Sequence, residues 1–223
     1  MLTIVPTPIG NLKDITMRGL EALRECDAII CEDTRRSSQL LAHYEIQKPL
    51  LILNDFNEKL KFPEFIERLK REERLCLISD AGTPLVNDPG FKLVRECIAE
   101  GLEIDSLPGP TCIIPALTMS GLPPNQFMFL GYPPDKPGHR QTFYTKMVEI
   151  AKITPTTFII FISPYKIKKT LLEMEAALGD IDFCLAKELS KMFQKVETKK
   201  LSEWNKFLKK HEPKGEYVGL FYL

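Results

Sequence analysis

The sequence predicts two α/β domains, with a doubly wound, mainly parallel sheet in the first and a smaller, mixed sheet in the second. Short apolar runs alternate with helical patterns through the first half of the chain. Turn residues then cluster at residues 120–124, and the strands near residues 183–198 follow one another without a helix between them. We place the boundary at the turn cluster, which gives domains of residues 1–121 and 122–223.

The first domain contains five apolar, β-rich runs that are bounded by turn residues, and a helical pattern follows each. These runs are residues 2–5, 28–31, 50–53, 75–79 and 104–107. Apolar residues at helical spacing are clearest in residues 17–23 and 62–69. Asp88 and Pro89 predict an N-cap and a first-turn proline for a helix that ends near Glu100. Regular alternation of this kind favours a parallel, doubly wound sheet.

The second domain has a different order of elements. Its predicted strands are residues 127–130, 156–162, 183–187, 193–198 and 217–222. Helical patterns occupy residues 166–178 and 201–210. Because two of the strands are consecutive, we expect some antiparallel pairing and therefore a mixed sheet.

The charge of the chain is balanced overall but not between its halves. Thirty basic and 30 acidic residues give a formal net charge of zero, which argues against a protein that attracts nucleic acid through an overall positive field. Residues 1–121 hold 14 basic and 19 acidic residues, whereas residues 122–223 hold 16 and 11. Two domains with different roles and ordinary solvated lysine faces both explain this asymmetry.

Composition also limits the class of protein. No apolar run reaches the roughly 18 residues of a membrane helix, and the first ten residues lack a basic segment followed by a long apolar core. We therefore expect a cytoplasmic protein without membrane association. The cysteines occur singly, which predicts buried reduced thiols and neither a disulfide framework nor a zinc site. They are Cys26, Cys31, Cys76, Cys97, Cys112 and Cys184.

Three loops rich in Gly, Pro, Asp and Thr follow predicted strands of the first domain, at residues 6–11, 79–84 and 108–111. Each alone is typical of a tight turn, but a doubly wound sheet binds its ligand at the carboxyl edge where all three would lie. Neither G-x-G-x-x-G nor G-x-x-x-x-G-K-[ST] is present, so a nucleotide bound through its phosphates is not expected. We expect a ligand held by backbone groups and one or two carboxylates, with Asp80 facing a positive group or a hydroxyl.

Four ordered motifs carry a resemblance to a known family. They are TIVPTPIGNLKDITMR at residues 3–18, CEDTR at 31–35, SDAGTP at 79–84 with DPG at 88–90, and LPGP at 107–110. They resemble the bacterial ribosomal RNA small subunit methyltransferase I family, which modifies the 2′-hydroxyl of a decoding-site cytidine and belongs to the tetrapyrrole methylase superfamily. The resemblance implies two α/β domains that enclose S-adenosylmethionine, and a homodimer that acts on small-subunit rRNA or the 30S subunit.

The resemblance also implies binding roles for individual residues. The expected cofactor contacts are Ile9, Asp80, Gly82, Thr83, Thr111 and Cys112, with Ala186 contributed by the second domain. Cys112 lies in a helix that we expect to start at Pro110. Its side chain is therefore equally compatible with burial in that helix, in which case only its backbone would contact the cofactor.

Methyl transfer to a ribose hydroxyl has modest chemical needs. The donor is reactive, so alignment of the nucleophile supplies roughly 7–11 kcal/mol and no metal is required. A base near the hydroxyl adds a factor of roughly 10²–10⁴. The candidate bases are Glu32, Asp33, Asp80 and Glu188, with Lys187 as a further candidate. We rank Glu188 first and take Glu188 and Lys187 as the predicted catalytic residues.

Basic and aromatic residues provide candidate RNA contacts. Arg35, Arg36, Arg140 and Lys166 are the predicted phosphate-binding residues, although each alone is also typical of a solvated surface. Further basic candidates and the aromatic residues that could stack a splayed base are Lys136, His139, Lys168, Lys169, Tyr132 and Tyr165. For residues 32–35, a helix cap with an ion pair explains the pattern as well as RNA contact does.

Two other functions remain compatible with the sequence. A methyltransferase of the same fold that acts on a small molecule such as a tetrapyrrole would have an apolar, enclosed acceptor site instead of an open basic rim. A ribosome-associated binding module without turnover is also compatible, because residues 162–166 read Ile-Ser-Pro-Tyr-Lys where the family usually has Glu before the Ser-Pro pair and His-Arg after it.

Overall fold

The computed structural model describes residues 1–54 and 56–223, the side chain of Lys59 excepted. Its first part contains a sheet of parallel strands in the order β3-β2-β4-β1-β5. The strands are β1 (Leu2–Ile4), β2 (Ala28–Cys31), β3 (Leu50–Ile52), β4 (Leu75–Leu77) and β5 (Ile104–Ser106). The helices between them are α1 (Met17–Glu25), α2 (Thr34–His43), α3 (Glu58–Lys70) and α4 (Phe91–Ala99). The predicted doubly wound parallel sheet is confirmed.

The strand order explains how distant loops come together. Strand β4 lies between β2 and β1, while β5 pairs with the other side of β1. Because all these strands are parallel, the loops that leave β4, β1 and β5 emerge side by side at the carboxyl edge of the sheet. From β1 the chain continues toward the β3 edge of the sheet, whereas from β4 it continues toward the β5 edge. The direction of winding therefore changes between the adjacent strands β1 and β4, and open α/β sheets bind ligands at such a point.

Helices cover both faces of this sheet. In β2, Ile30 points to the face on which Phe65 of α3 and Leu93 of α4 are buried. Its neighbour Ile29 points to the opposite face, together with Leu23 of α1. Burial on both faces explains why the inner strands β1, β2 and β4 are nearly continuous apolar runs instead of alternating ones.

The second part is built on a mixed sheet in the order β6-β7-β10-β8-β9. Strands β6 and β7 pair in parallel, and the remaining neighbours are antiparallel. The strands are β6 (Phe127–Phe129), β7 (Thr157–Ile162), β8 (Asp182–Lys187), β9 (Lys195–Lys200) and β10 (Tyr217–Tyr222). The helices are α5 (Ile113–Ser120), α6 (Pro137–Ile153), α7 (Ile167–Leu178) and α8 (Leu201–Lys210). The predicted mixed sheet is confirmed.

Helix α6 was not among the predicted helices, and its buried residues explain why. Over 17 residues the buried side chains are Arg140, Tyr144 and Met147, and one of them is charged. Its last residue, Ile153, is 86% exposed, so the apolar residues do not form a single stripe. Pro137 at the start of the helix was the available signal.

The chain divides into two compact units, Met1–Thr111 and Cys112–Leu223. The turn cluster had placed the domain boundary after residue 121. The difference arises from α5, which precedes the turn cluster but packs against β8, β9 and β10 of the second sheet. Its packing partners therefore assign the helix to the second unit.

The predicted N-cap at Asp88 is wrong. Helix α4 begins at Phe91, and its N-cap residue is Gly90 with φ of +119°. A Cβ atom at this position would lie 2.9 Å from Cδ2 of Leu77, so both conformation and space favour glycine. The first amide groups of the helix are bound by Glu58 from α3.

Five cysteines of the described chain are buried, and Cys112 is half-buried. The expectation of buried thiols without disulfides is thus confirmed for five of the six. Within residues 1–54 and 56–223, no helix is both long enough and apolar enough to cross a membrane.

The packing around Gly219 of β10 predicts the effect of enlarging it. A Cβ atom there would lie 2.6 Å from Cζ of Phe183 and 2.7 Å from Cδ1 of Ile162. We expect Gly219→Ala to lower the free energy of unfolding by about 1–3 kcal/mol, measured by urea denaturation, because the core must shift to admit the methyl group. The control is Gly138→Ala in α6, where no described atom lies within 4 Å of the added Cβ atom. Equal midpoints for the two variants would contradict this reading of the core.

Candidate active site

The loops at residues 6–11 and 79–84, which follow β1 and β4, are joined by a reciprocal pair of backbone hydrogen bonds. The amide of Thr7 donates to the carbonyl oxygen of Gly82 at 2.9 Å, and the amide of Gly82 donates to that of Thr7 at 2.9 Å. The buried hydroxyl of Thr7 also donates to the carbonyl oxygen of Ser79 at 3.1 Å. Thr7 was not among the predicted site residues, although it is a β-branched polar residue three positions after the buried strand β1.

The third loop is attached to the other two. The hydroxyl of Thr83 donates to the carbonyl oxygen of Pro110 at 3.0 Å. Gly109 lies so close to Pro6 that a Cβ atom on it would be 2.8 Å from Cβ of Pro6. Gly82 has a φ of +87°, and Cγ2 of Ile9 would lie 3.4 Å from a Cβ atom there. The structure therefore brings Ile9, Gly82 and Thr83 together at one edge of the sheet.

Asp80 has one carboxylate oxygen in use and one without a partner. Its Oδ2 lies 3.3 Å from Nη1 of Arg36, and 22% of its side chain is exposed. Its Oδ1 is buried and accepts no hydrogen bond from any residue that the structure describes. A buried acceptor without a partner costs stability, so an oxygen in this state is suited to a hydroxyl or ammonium group of a ligand.

Thr111 and Cys112 lie where the two units divide. The helix expected from Pro110 begins at Ile113 instead, with Cys112 as its N-cap residue. Both predicted cofactor residues therefore belong to the segment before the helix.

The segment Glu32–Arg35 forms a helix cap with an ion pair, which was one of the two structures expected for it; the other was a contact with RNA. Oδ1 of Asp33 accepts a hydrogen bond from the amide of Arg35 at 2.9 Å and so caps α2. The guanidinium of Arg35 lies 2.6 Å from Oδ2 of Asp33, and its hydrogen bonds lower the pKa of that carboxyl to about 2. At 87% and 67% exposure, the side chains of Arg35 and Arg36 remain open to a further anion.

Strand directions gather a second set of residues within the second unit. Strands β6, β7 and β8 end at the edge of the sheet where β10 begins. The segments that follow these strands are residues 130–136, 163–166 and 188–194, and residues 211–216 lead into β10. The predicted residues Lys166, Lys187 and Glu188 all belong to this edge.

Glu188 holds this edge together. Its Oε1 accepts hydrogen bonds from the amide of Glu216 at 2.8 Å and from Nζ of Lys191 at 3.1 Å. Burial would raise the pKa of Glu188, but the hydrogen bonds from Glu216 and Lys191 outweigh burial, and the pKa is lowered. A Cβ atom on Gly215 would lie 2.6 Å from Cδ of Glu188, so glycine leaves the space that the carboxylate fills. A carboxylate bound in this way is a poor acceptor for a further proton.

Ala186 and Lys187 form the end of β8. Ala186 is buried and lies between Val196 and Val218 in the register of the sheet. Nζ of Lys187 lies 5.9 Å from the centre of the Tyr217 ring. The side chain therefore places a cation at the strand end against an aromatic face.

Arg140 does not have the solvent-facing position that its predicted phosphate-binding role requires. It is buried, and its Nε and Nη2 lie 2.7 and 2.9 Å from the two carboxylate oxygens of Glu173. Its Nη1 donates to the carbonyl oxygens of Pro134 and Asp135. The guanidinium thus joins α6 to α7 and to the loop before α6. Lys166, by contrast, is 59% exposed and pairs with Asp135.

Aromatic rings are clustered at the same edge of the second sheet. The ring of Phe161 lies 4.8 Å from that of Phe129 and 5.3 Å from that of Tyr132, both in edge-on geometry. Tyr132 is 57% exposed, and Tyr165 is 96% exposed. Two tyrosine rings therefore face solvent beside the lysines of this edge.

The chain is similar to proteins of known family over almost its whole length. Residues 1–205 match the Tetrapyrrole (Corrin/Porphyrin) Methylases. The chain is 40% identical over 215 residues to the ribosomal RNA small subunit methyltransferase I of Thermotoga maritima, covering 96% of this chain and 95% of that relative. It is 41% identical over 223 residues to the protein of the same name from Vibrio cholerae, covering 99% of this chain and 76% of that relative.

A solved structure supports the fold. The crystal structure of a diphthine synthase is similar with a TM-score of 0.77 and 19% sequence identity, covering 99% of this chain and 88% of the other. At this level of identity the likeness concerns the fold alone.

The contacts of Arg140 predict a structural effect for its removal. We expect Arg140→Ala to lower the urea midpoint markedly, because Glu173 and two carbonyl groups lose their donors. Lys166→Ala serves as the comparison, since its exposed pair with Asp135 contributes little. If the urea midpoints of Arg140→Ala and Lys166→Ala were equal, the structural role of Arg140 would be contradicted, and Arg140 would again be a candidate for phosphate binding.

Proposed function

The chain belongs to the tetrapyrrole methylase family and, within it, to the ribosomal RNA small subunit methyltransferase I proteins, and on this basis we propose that it transfers a methyl group from S-adenosylmethionine to the 2′-hydroxyl of a cytidine in small-subunit rRNA. The observation that carries the proposal is the joined edge of three loops with the unpartnered Oδ1 of Asp80. We propose further that the enzyme works in the cytoplasm as a homodimer, as the family resemblance implies.

The residues at the first edge fit the proposed cofactor. S-adenosylmethionine offers ribose hydroxyls and an ammonium group, either of which can donate to Oδ1 of Asp80. Ile9 provides an apolar contact beside Gly82, whose positive φ turns the backbone of the loop. We therefore retain Ile9, Asp80, Gly82 and Thr83 as cofactor residues. Thr111, Cys112 and Ala186 stay in the proposal on the strength of the resemblance.

The bound sulfonium supplies the electrophilic methyl group, and the protein must align the acceptor with it and exclude water. When bound, S-adenosylmethionine would supply its methyl group to the 2′-oxygen and leave as a neutral thioether, while the hydroxyl proton would pass to bulk water on the side away from the methyl group. Alignment of this kind is worth roughly 7–11 kcal/mol. Proximity and orientation are therefore the main contribution that we assign to the protein.

The predicted catalytic residues Glu188 and Lys187 have different contacts, and we propose different roles for them. Glu188 already accepts two hydrogen bonds and has a lowered pKa, so we propose that it positions the end of β8. Lys187 follows Ala186 on that strand, and its ammonium group would stabilise negative charge as it develops on the 2′-oxygen. Asp33 is a weaker candidate base, because Arg35 lowers its pKa to about 2.

Exposed cations and tyrosines support an RNA substrate. Arg35, Arg36 and Lys166 are each more than half exposed, and we propose that they bind phosphate. Tyr132 and Tyr165 offer rings on which unstacked bases can rest. Exposed side chains of this kind, present in each unit, favour RNA over the small-molecule alternative, which would require an enclosed apolar acceptor site. Since the net charge is zero, RNA affinity should depend on these local contacts and on salt.

The unpartnered oxygen of Asp80 gives a direct prediction. We expect Asp80→Ala to raise the dissociation constant for S-adenosylmethionine by about tenfold to a hundredfold in calorimetry, because a hydrogen bond to a charged group contributes about 1.5–3 kcal/mol. Asp105→Ala is the control, as Asp105 is a half-exposed carboxylate on β5 that pairs with Arg18. Unchanged affinity in Asp80→Ala would remove Asp80 from the cofactor site.

The function itself is tested by methyl transfer. Labelled S-adenosylmethionine is incubated with the protein and either undermodified 30S subunits or free 16S rRNA, and the labelled nucleotide is mapped. We expect a single 2′-O-methylated cytidine. In the double variant Arg35→Ala/Lys166→Ala, we expect RNA affinity to depend less on salt. The slope of log affinity against log salt concentration should become shallower by about one unit for each lost phosphate contact. Cofactor binding without transfer to either RNA would favour the small-molecule function, and no cofactor binding would exclude both methyltransferase functions.

A further inference from the structure

The long loop between β4 and α4 carries Asp80, Gly82 and Thr83, and its two ends are held by different contacts. The near end is bound to Thr7 through Gly82 and to Pro110 through Thr83. These contacts leave the rest of the loop, up to the start of α4 at Phe91, to be fixed from elsewhere.

Glu58, the first residue of α3, binds the far end of this loop. Its side chain is 5% exposed, and its Oε1 accepts hydrogen bonds from the amides of Gly90 and Lys92, both at 3.1 Å. Its Oε2 lies 2.5 Å from Nζ of Lys92. Burial would raise the pKa of Glu58, but the hydrogen bonds from Lys92 and Gly90 outweigh it, and the pKa is lowered. The carboxylate is therefore charged where it meets the positive end of the α4 dipole.

The loop between these anchors needs external support. Leu85 and Asn87 have φ of +71° and +70°, and Gly90 has φ of +119°. Left-handed conformations are unfavourable for residues such as leucine and persist only where the surroundings hold them. Glu58 supplies such support at the end of the loop that Thr7 and Pro110 do not reach.

Glu58 is itself held in place by its own segment. Its amide donates to the carbonyl oxygen of Asn54 at 2.9 Å. Asn54 and Asn57 each accept, through Oδ1, a hydrogen bond from the other's backbone amide, at 3.0 and 2.8 Å. The carboxylate is thus attached to a backbone that Asn54 and Asn57 hold through hydrogen bonds.

From these contacts we propose that Glu58 is a positioning residue for the cofactor loop: by holding Gly90 and Lys92 it keeps Asp80, Gly82 and Thr83 in the arrangement that binds S-adenosylmethionine. The proposal rests on the proposed function for the identity of the ligand. The proposal requires the loop to be ordered in the protein without ligand, and this order can be measured in the absence of S-adenosylmethionine.

Hydrogen exchange and calorimetry on the full-length protein test the proposal together. In Glu58→Ala we expect faster exchange of the loop amides, including that of Gly82. If the ordered loop then occupies about a tenth of the molecules, the dissociation constant for S-adenosylmethionine rises about tenfold. Glu58→Gln should show a smaller effect in both measurements, because its amide oxygen still accepts from Gly90 and Lys92.

Asp180→Ala provides the matched control. Asp180 also caps a helix from outside, since its Oδ1 and Oδ2 accept from the amide and the hydroxyl of Ser202 in α8 at 2.8 and 2.9 Å. It should lower stability without changing loop exchange or cofactor affinity. Unchanged loop exchange in Glu58→Ala, or equal effects in Glu58→Ala and Asp180→Ala, would overturn the proposal. A wild-type protein that binds no S-adenosylmethionine would instead refute the proposed function, while the exchange data would still decide whether Glu58 orders the loop.

Discussion

The reciprocal hydrogen bonds between Thr7 and Gly82 are the constraint on which the candidate active site depends. They join loops from two strands that are adjacent in the sheet but distant in the sequence. The strand order makes this contact available, and the bonds then fix one loop against the other. Because Thr83 extends the same connection to Pro110, the third loop is held by the second. A ligand at this edge would therefore meet a surface that is already ordered, so little conformational entropy would be lost on binding.

Three carboxylates in this chain hold the backbone through hydrogen bonds. Asp33 caps α2, Glu58 binds the start of α4, and Glu188 joins β8 to the segment before β10. Asp80 differs, since one of its oxygens is buried and has no partner among the described residues. Residue type alone does not distinguish these four acidic residues, but their hydrogen bonds separate the structural carboxylates from the one that is suited to a ligand.

Patterns within short stretches predicted most of the fold. Parallel strands buried on both faces gave nearly continuous apolar runs, and the loops after β1, β4 and β5 were recognisable by their composition. The cap at Asp33 was foreseeable because its partner Arg35 lies two residues away. The roles of Arg140 and Glu58 depend on partners more than 30 residues distant, Glu173 and Gly90, and no local pattern contains that information.

The position of β1 between β4 and β5 has a consequence for synthesis. Leu2 pairs with Leu75 on one side and with Ile104 on the other. Strand β1 therefore has no neighbour in the sheet until β4 is made, and its second neighbour comes later still. Contacts between such distant segments fold slowly, and an unpaired apolar strand is exposed to aggregation in the meantime. The three loops of the candidate site can meet only after β5 has joined the sheet, so the ability to bind a ligand there marks the completion of this unit during translation.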